Sequence, residues 1–355
     1  MDLRLEVIDE SKKEFWNQLV QNCSHGTVFH TWDWIHIINK HTWTSLLGWK
    51  VKSKLYPVII YSGDQAIGLC PLFKYNFPFF TITLSPPSRT ETPYLGPLIK
   101  DFDTLTQYKR EQLYEKFFEM LERFMDKDLK ADYSFFRMSP NLADGRPLMW
   151  SDYHVSPLYT YDIDLSPSLE EIRAGFKKSL RKNISKMEKE LVVEDGGREE
   201  LLLIYEAVIK RFEEQDVNTR FLKEFLLDVF DRFYPDNLKI TVARKDGNFV
   251  GGVISTVFRD RVEAWIGTAK PNMPGVYPSD LLHWKLIEWA KENDYKTYEI
   301  VWANTQRLNQ FKSKYNPSLT IYLNAYKYRN LRTRLLMAFY YRILKKLKYS
   351  FEWRR

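Results

Sequence analysis

The sequence contains no apolar run near the roughly 20 residues that a membrane-spanning helix needs, which removes helical membrane proteins from the expected classes. Cysteine is almost missing: Cys23 and Cys70 stand far apart in neither metal nor redox spacing, and this fits a reducing compartment. The six histidines are scattered and form no HExxH or paired Cys/His pattern, so no metal is expected. A Ser-His-Asp or Cys-His set is equally unreadable, which leaves covalent nucleophilic catalysis without candidates. The opening MDLRLEVIDE is acidic, with neither the basic start nor the apolar stretch of a secretory signal, and a soluble, cytoplasmic protein is expected. Acid is scarce in one place: residues 327–355 carry ten Lys/Arg against the single Glu352, a local charge of +9. The whole chain carries +7, so removing that +9 leaves −2, and the basicity belongs to the tail rather than to an overall nucleic-acid-binding surface.

At 355 residues the chain exceeds what one core comfortably supports. We expect two domains, 1–155 and 156–326, and then a basic amphipathic C-terminal helix over 327–355 that packs back on the first. A composition of 44% hydrophobic and 28% charged residues is globular, and 16% aromatics imply large cores or a cleft lined for an extended substrate.

Strand-like LRLEVI opens the first half, followed by a helix over 11–21 and another over 29–40, in which Phe29, Trp32, Ile35 and Ile38 recur at helical spacing. Residues 55–73 read as a hairpin turning at Gly63-Asp64, 76–100 as an irregular Pro/Ser/Thr-rich loop, 104–127 as helix and ADYSFFRM as strand. The second half repeats this order. Helices over 199–215 and 221–233 precede a hairpin turning at Asp246-Gly247, a third strand VEAWIGTA, a helix and a strand. The shared order reads as one α/β unit duplicated, although two unrelated α/β domains would also share hairpins and helices.

Between the halves, Ser168 and Glu171 form a capping box that starts one long helix. At about 100° per residue, Leu169, Ile172, Phe176, Leu180, Ile184 and Met187 fall on one side, with Lys178, Arg181, Lys182 and Lys189 opposite. That cationic stripe is either a solvated face or an anion site. Residues 278–314 then read as helix, strand, polar turn and basic helix. Ser279 is placed to cap the first helix and Asp280 suits its positive end, while Leu282, Leu286, Trp289 and Ala290 share a face. Residues 295–302 form the strand, Ala303-Asn304-Thr305 the turn, and Phe311 and Lys312 lie on the last helix. A strand end opening into a polar turn is where α/β proteins usually place ligands.

With this duplicated unit, the linking FKKSLRKNISK, the later LLHWKLIEWAKENDYKTYEI and the following LNQFKSKYNP, the chain resembles the Fem family of aminoacyltransferases. Members carry basic-x-x-Arg-x-Asn-Ile near the start of the second domain, matched by Lys178, Arg181, Asn183 and Ile184. They also carry a leucine-rich helix ending in Trp-Ala, matched by Leu281-Leu282, Trp284 and Trp289-Ala290, and a Phe-Lys pair, matched by Phe311-Lys312. An early aromatic helix ending in lysine is matched by 29–40, with Lys40 last. The resemblance spans nearly the whole chain. It implies an α/β (α+β) fold of two tandem GNAT-like domains, with mixed sheets flanked by helices and a basic C-terminal helix. It also implies transfer of an acyl group, often an amino acid from aminoacyl-tRNA, onto an amine, peptidoglycan precursors bearing diphosphate being the best-known acceptors. Two family-related features are missing. No charged heptad arm interrupts the second domain, and the Gly-rich pyrophosphate loop of acetyl-CoA enzymes is replaced by AKPNMPG, whose Pro271 and Pro274 lack N–H groups.

Aminolysis of an ester or thioester needs a neutral amine, a path for its proton and donors aimed at the oxyanion. Lys312 is the candidate for stabilising the oxyanion or a donor phosphate; a surface lysine beside Arg307 and Lys314 is the plain alternative. Arg181 and Lys178, with Lys40 of the first domain, would clasp acceptor phosphates. Glu263 would accept the amine proton, although strand alternation turns it toward solvent. Asn304 and Phe311 complete the substrate-binding candidates with Trp302, which would stack on a sugar or base or else join Trp284 and Trp289 in the core. His283 reads as packing. In the tail, Leu335, Leu336, Phe339, Ile343 and Leu347 form one arc and Arg334, Arg342, Lys345 and Lys348 largely the other. Such a helix packs on the first domain while its cations meet tRNA phosphate or anionic lipid at the inner membrane face. The expected partners are a small-molecule or lipid-linked amine acceptor and either aminoacyl-tRNA or acyl-CoA as co-substrate, with no permanently bound cofactor, in a monomer. The rival readings are an acyl-CoA-dependent N-acyltransferase and a non-enzymatic tRNA- or lipid-binding adaptor.

Overall fold

Runs of alternating β-branched and aromatic residues make up the strands of both halves, and the longest amphipathic helices lie between them. The structure, a computed structural model, describes residues 3–46, 49–88, 90–140, 142, 144–214, 222–268 and 273–346. In chain order the elements are β1 (Leu3–Val7), α1 (Lys13–Asn22), α2 (Trp32–His41), β2 (Trp43–Leu46), β3 (Trp49–Lys52), β4 (Lys54–Ser62), β5 (Gln65–Phe77), β6 (Phe80–Ser85), β7 (Leu98–Ile99), α3 (Gln107–Arg123), β8 (Tyr133–Arg137) and α4 (Arg146–Trp150). They continue with β9 (His154–Asp164), α5 (Leu169–Gly175), α6 (Lys178–Glu190), β10 (Val192–Asp195), α7 (Arg198–Glu214), α8 (Lys223–Phe233), β11 (Leu238–Lys245), β12 (Asn248–Phe258) and β13 (Arg261–Gly267). The last are α9 (Pro278–Glu292), β14 (Thr297–Ile300), α10 (Gln306–Lys312), β15 (Ser318–Tyr328) and α11 (Leu331–Lys346).

These elements form two units. The first collects the described residues of Met1–Leu158, Arg220–Phe225 and Ile321–Arg355, and the second those of Tyr159–Thr219 and Leu226–Thr320. The principal division therefore falls at 158/159 and 320/321, where the sequence reading places it at 155/156 and 326/327, because β9 and β15 each run through a boundary. In the first unit β1, β4, β5 and β6 are successive antiparallel neighbours, β6 pairs parallel with β8, and β8 pairs antiparallel with residues 324–328 of β15. In the second unit β10, β11, β12 and β13 are antiparallel, β13 pairs parallel with β14, and β14 pairs antiparallel with residues 161–164 of β9. Helix α3 lies between the two parallel strands of the first unit and α9 between those of the second, as a parallel pair requires. Strand order, sense and crossover repeat, so the chain is a tandem duplication of one mixed α/β unit.

In the first core Leu113, Tyr114, Phe117, Phe118 and Leu121 of α3 cover Val58, Ile60, Cys70 and Leu72. In the second, Leu180, Ile184 and Met187 of α6 meet Leu281, Leu282, Leu286, Ile287 and Ala290 of α9, each fully buried leucine contributing about 1.5–3 kcal/mol. Helix α7 covers the other sheet face so closely that a Cβ on Gly252 would lie 2.6 Å from the Ile204 side chain. The β11–β12 hairpin turns through Asp246 (φ 51°) and Gly247 (φ 78°), both left-handed, as the Asp-Gly dipeptide favours.

Several expectations are corrected. Residues 76–100 are not all loop: Phe-Thr-Ile-Thr-Leu-Ser alternates and forms β6 in the proline-free stretch between Pro78 and Pro86. The helix from Ser168 is two helices, broken where Phe176 becomes extended (ψ 149°), although the predicted apolar arc from Ile172 to Met187 stays buried on both sides of the break and Leu169 is half-buried. Pro278, not Ser279, begins α9, its missing N–H being harmless at that position. Within 331–338 of α11 the buried residues are Thr333 and Met337, and Leu335 is exposed; the side chains of Phe339, Arg342, Ile343 and Lys345 lie outside the described ones. Gln215, Phe221, Pro271 and residues 347–355 lie outside the described residues.

Candidate active site

The parallel pair β13–β14 is in register from Arg261/Thr297 to Ala264/Ile300, after which β14 ends and β13 runs on to Gly267. On its other edge β13 carries a bulge: Ile254 faces Ile266 while Ser255 faces Ala264, which leaves Trp265 as the extra residue and bends the strand. The parallel pairing thus stops at Ala264/Ile300, and β14 opens there into the polar turn at 301–305 while β13 continues alone.

That turn is held at several points. Trp302 has φ +68°, a left-handed conformation costly for a large side chain and maintained only where the surroundings enforce it. Ala303 N donates to Tyr159 O at 2.9 Å, and Tyr159 N donates to Asn304 Oδ1 at 2.7 Å. Thr305 caps α10 by accepting from Leu308 N at 3.4 Å. At the end of α10, Lys312, only 8% exposed, returns its ammonium to the strand end, donating to Val301 O and to Trp302 O at 2.9 Å. Burial pulls this lysine down to about 7, and the Glu299 carboxylate works against the shift. His283 Nδ1 lies 2.6 Å from the Tyr298 hydroxyl, with its ring against Phe311 and Tyr315. Burial, and then the charge of Lys312, lowers His283 to about 3, so it is a neutral packing residue at ordinary pH.

Helix α6 reaches the same segment. Lys177 N donates to Lys314 O at 2.9 Å just before α6 begins, and Asn183 Nδ2 donates to Asp280 Oδ2 at 2.8 Å in the first turn of α9. Lys314 Nζ stands 3.6 Å from the other oxygen of that carboxylate. The Asn of the basic motif is therefore a strut between α6 and α9. Arg181 donates to Ala174 O at 3.3 Å, and Lys178 is exposed on the first turn of α6. The structure thus brings Trp302, Asn304, Phe311 and Lys312 into one segment and ties the helix of Lys178 and Arg181 to it. Lys40 lies exposed near the end of α2 in the first unit.

Glu263 does not face solvent. Val262 and Ala264 join the α6–α9 core, so Glu263 points to the opposite sheet face, where it is 2% exposed and accepts from Thr256 Oγ1 at 2.6 Å. It begins a row that the sequence did not disclose: Glu263 pairs in register with Glu299, and Glu299 with Asp162. Thr160 donates to Glu299 at 2.6 Å, and one nitrogen of Arg261 donates to Asp162 at 2.6 Å and to Glu299 at 2.9 Å. Burial pushes Glu299 up to about 8; Asp162 and Glu263 add to the rise and Arg261 opposes it. Among the described residues no group of three or more His, Cys, Asp or Glu is placed to hold a metal ion.

Residues 173–313 match the family described as acetyltransferase (GNAT) domain, a span that includes the strand end, Arg181 and Lys312. No curated protein matches the chain. Among solved structures, a crystal structure of FemX superposes with a TM-score of 0.69 at 10% identity, covering 95% of this chain and 100% of that one. The C-terminal domain of a putative lysylphosphatidylglycerol synthetase from Agrobacterium fabrum gives a TM-score of 0.53 at 12% identity, over 94% of this chain and 96% of that one. A tandem GNAT protein from the clavulanic acid biosynthesis pathway gives 0.52 at 9% identity, over 92% and 98%. The chain thus has a tandem GNAT-like fold of the kind seen in FemX, and the GNAT family match falls within its second half.

Proposed function

We propose that this protein is a cytoplasmic N-acyltransferase that moves an aminoacyl or acyl group onto an amine of a cell-envelope or polysaccharide precursor by direct aminolysis. The observation that carries the reading is the buried ammonium of Lys312 at the end of β14, beside a turn held in a strained conformation. In the proposed step the amine nitrogen attacks the carbonyl carbon of an ester, as in aminoacyl-tRNA, or of a thioester, as in acyl-CoA. A C–N bond forms and the C–O or C–S bond breaks; the amine loses a proton and the leaving hydroxyl or thiol gains one. Lys312 stabilises the oxyanion formed in between, in a site where burial strengthens its field. Glu263 takes the amine proton and the carboxyl row behind it shares the load. Arg181 and Lys178 hold acceptor phosphate, Trp302 stacks on a ring of the substrate, and Phe311 and Asn304 fix the pocket. Lys40 is assigned a further phosphate contact on the strength of the sequence resemblance.

The test is to incubate the protein and an amine acceptor with aminoacyl-tRNA and with acyl-CoA separately, following donor consumption. Acceptor-dependent consumption of one donor supports transfer. Binding of either donor without consumption would instead support a non-enzymatic adaptor.

A further inference from the structure

We propose that the outer face of α11 docks on an anionic membrane surface, an inference that stands apart from the transfer chemistry. Thr333 and Met337, one turn apart and each 2% exposed, fix the inward side of this helix. At about 100° per residue the opposite side is centred on Leu331 and Leu335, also one turn apart, which are 66% and 60% exposed. Arg332 and Arg334, both exposed, flank that ridge on either side. An apolar ridge with a guanidinium group on either side is the pattern of a helix lying in a bilayer interface: leucines enter the acyl boundary and arginines keep their charge at headgroup phosphates. The charge balance of the chain argues for the same occupant. Residues 327–355 carry +9 while the rest of the protein carries −2, so an anionic surface attracts this end of the molecule and turns the helix toward itself. A nucleic acid would use the arginines but gain nothing from two exposed leucines, and an uncharged apolar partner would leave the cations unused.

The experiment is sedimentation of the full chain with vesicles of phosphatidylcholine alone and of phosphatidylcholine mixed with phosphatidylglycerol. The comparison covers wild type, Leu331→Ser with Leu335→Ser, and Arg332→Gln with Arg334→Gln. All four side chains are exposed, so thermal unfolding of both variants should match wild type and exclude a folding defect. The protein should sediment with the anionic vesicles only. The leucine variant should bind at least about tenfold more weakly, the loss expected from withholding a leucine-sized apolar contact. The arginine variant should bind more weakly as well, with a shallower dependence on salt. Absence of binding to anionic vesicles would overturn the proposal. So would a leucine variant that binds like wild type, which would reduce the face to a polyanion site and favour RNA.

Discussion

Lys312 illustrates how much a single buried charge has to do. Its ammonium holds two carbonyls of the turn that follows β14, and burial brings it to about 7 from an ordinary 10.5. The sign follows directly. The unfolded chain holds this proton more tightly than the folded one between those values, so this group's contribution to stability improves as pH rises through the window and is least favourable below it. Activity should move the other way: if the ammonium stabilises the oxyanion, kcat/KM falls as pH rises through about 7. Lys312→Ala should lower transfer by about 10²- to 10³-fold. Glu299 has the opposite linkage. Its folded value of about 8 lies above the ordinary 4.5, so its contribution to stability declines as pH rises between them, and Glu299→Gln should flatten that decline in urea midpoints taken at either end of the window. Lys312, Trp302, Asn304 and Phe311 were legible because they share one short stretch. Glu299 was not, because Tyr298 and Ile300 beside it look like ordinary core alternation and its donor Thr160 lies 139 residues away.

Helices α6 and α9 are tied to each other and to the segment that carries Lys312, and α5 leads into α6. Ser168 caps α5 in a full capping box, and Ser168→Ala should cost about 1 kcal/mol in chemical denaturation. Asn183→Leu should cost more, about 1–3 kcal/mol, because it takes a hydrogen bond from the buried carboxylate of Asp280. Capping made the start of α5 readable in advance, and helical periodicity the buried faces of α6 and α9. The break at Phe176 was hidden because both pieces keep one apolar side, and β6 was hidden by the prolines that follow it. For α11 the expected arc fails at Leu335, which looks like core but is exposed, while Thr333 and Met337 are buried.

The molecule as a whole is two copies of one mixed α/β unit, each with a single parallel pair beside antiparallel neighbours. That duplication was readable in the order of hairpin, helix and strand, but not the way β9 and β15 run through the unit boundaries, since register between strands distant in sequence leaves no local trace. Among the described residues no helix is long and apolar enough to cross a membrane. The proposed transfer is tested most directly by a donor-consumption time course in which an amine acceptor is present or withheld, run side by side on the wild type and a folded Lys312→Ala protein. The account predicts acceptor-dependent loss of aminoacyl-tRNA or acyl-CoA with the wild type and a rate at least about 10²-fold slower with the variant. Equal rates for the two proteins, or no consumption of either donor, would contradict it.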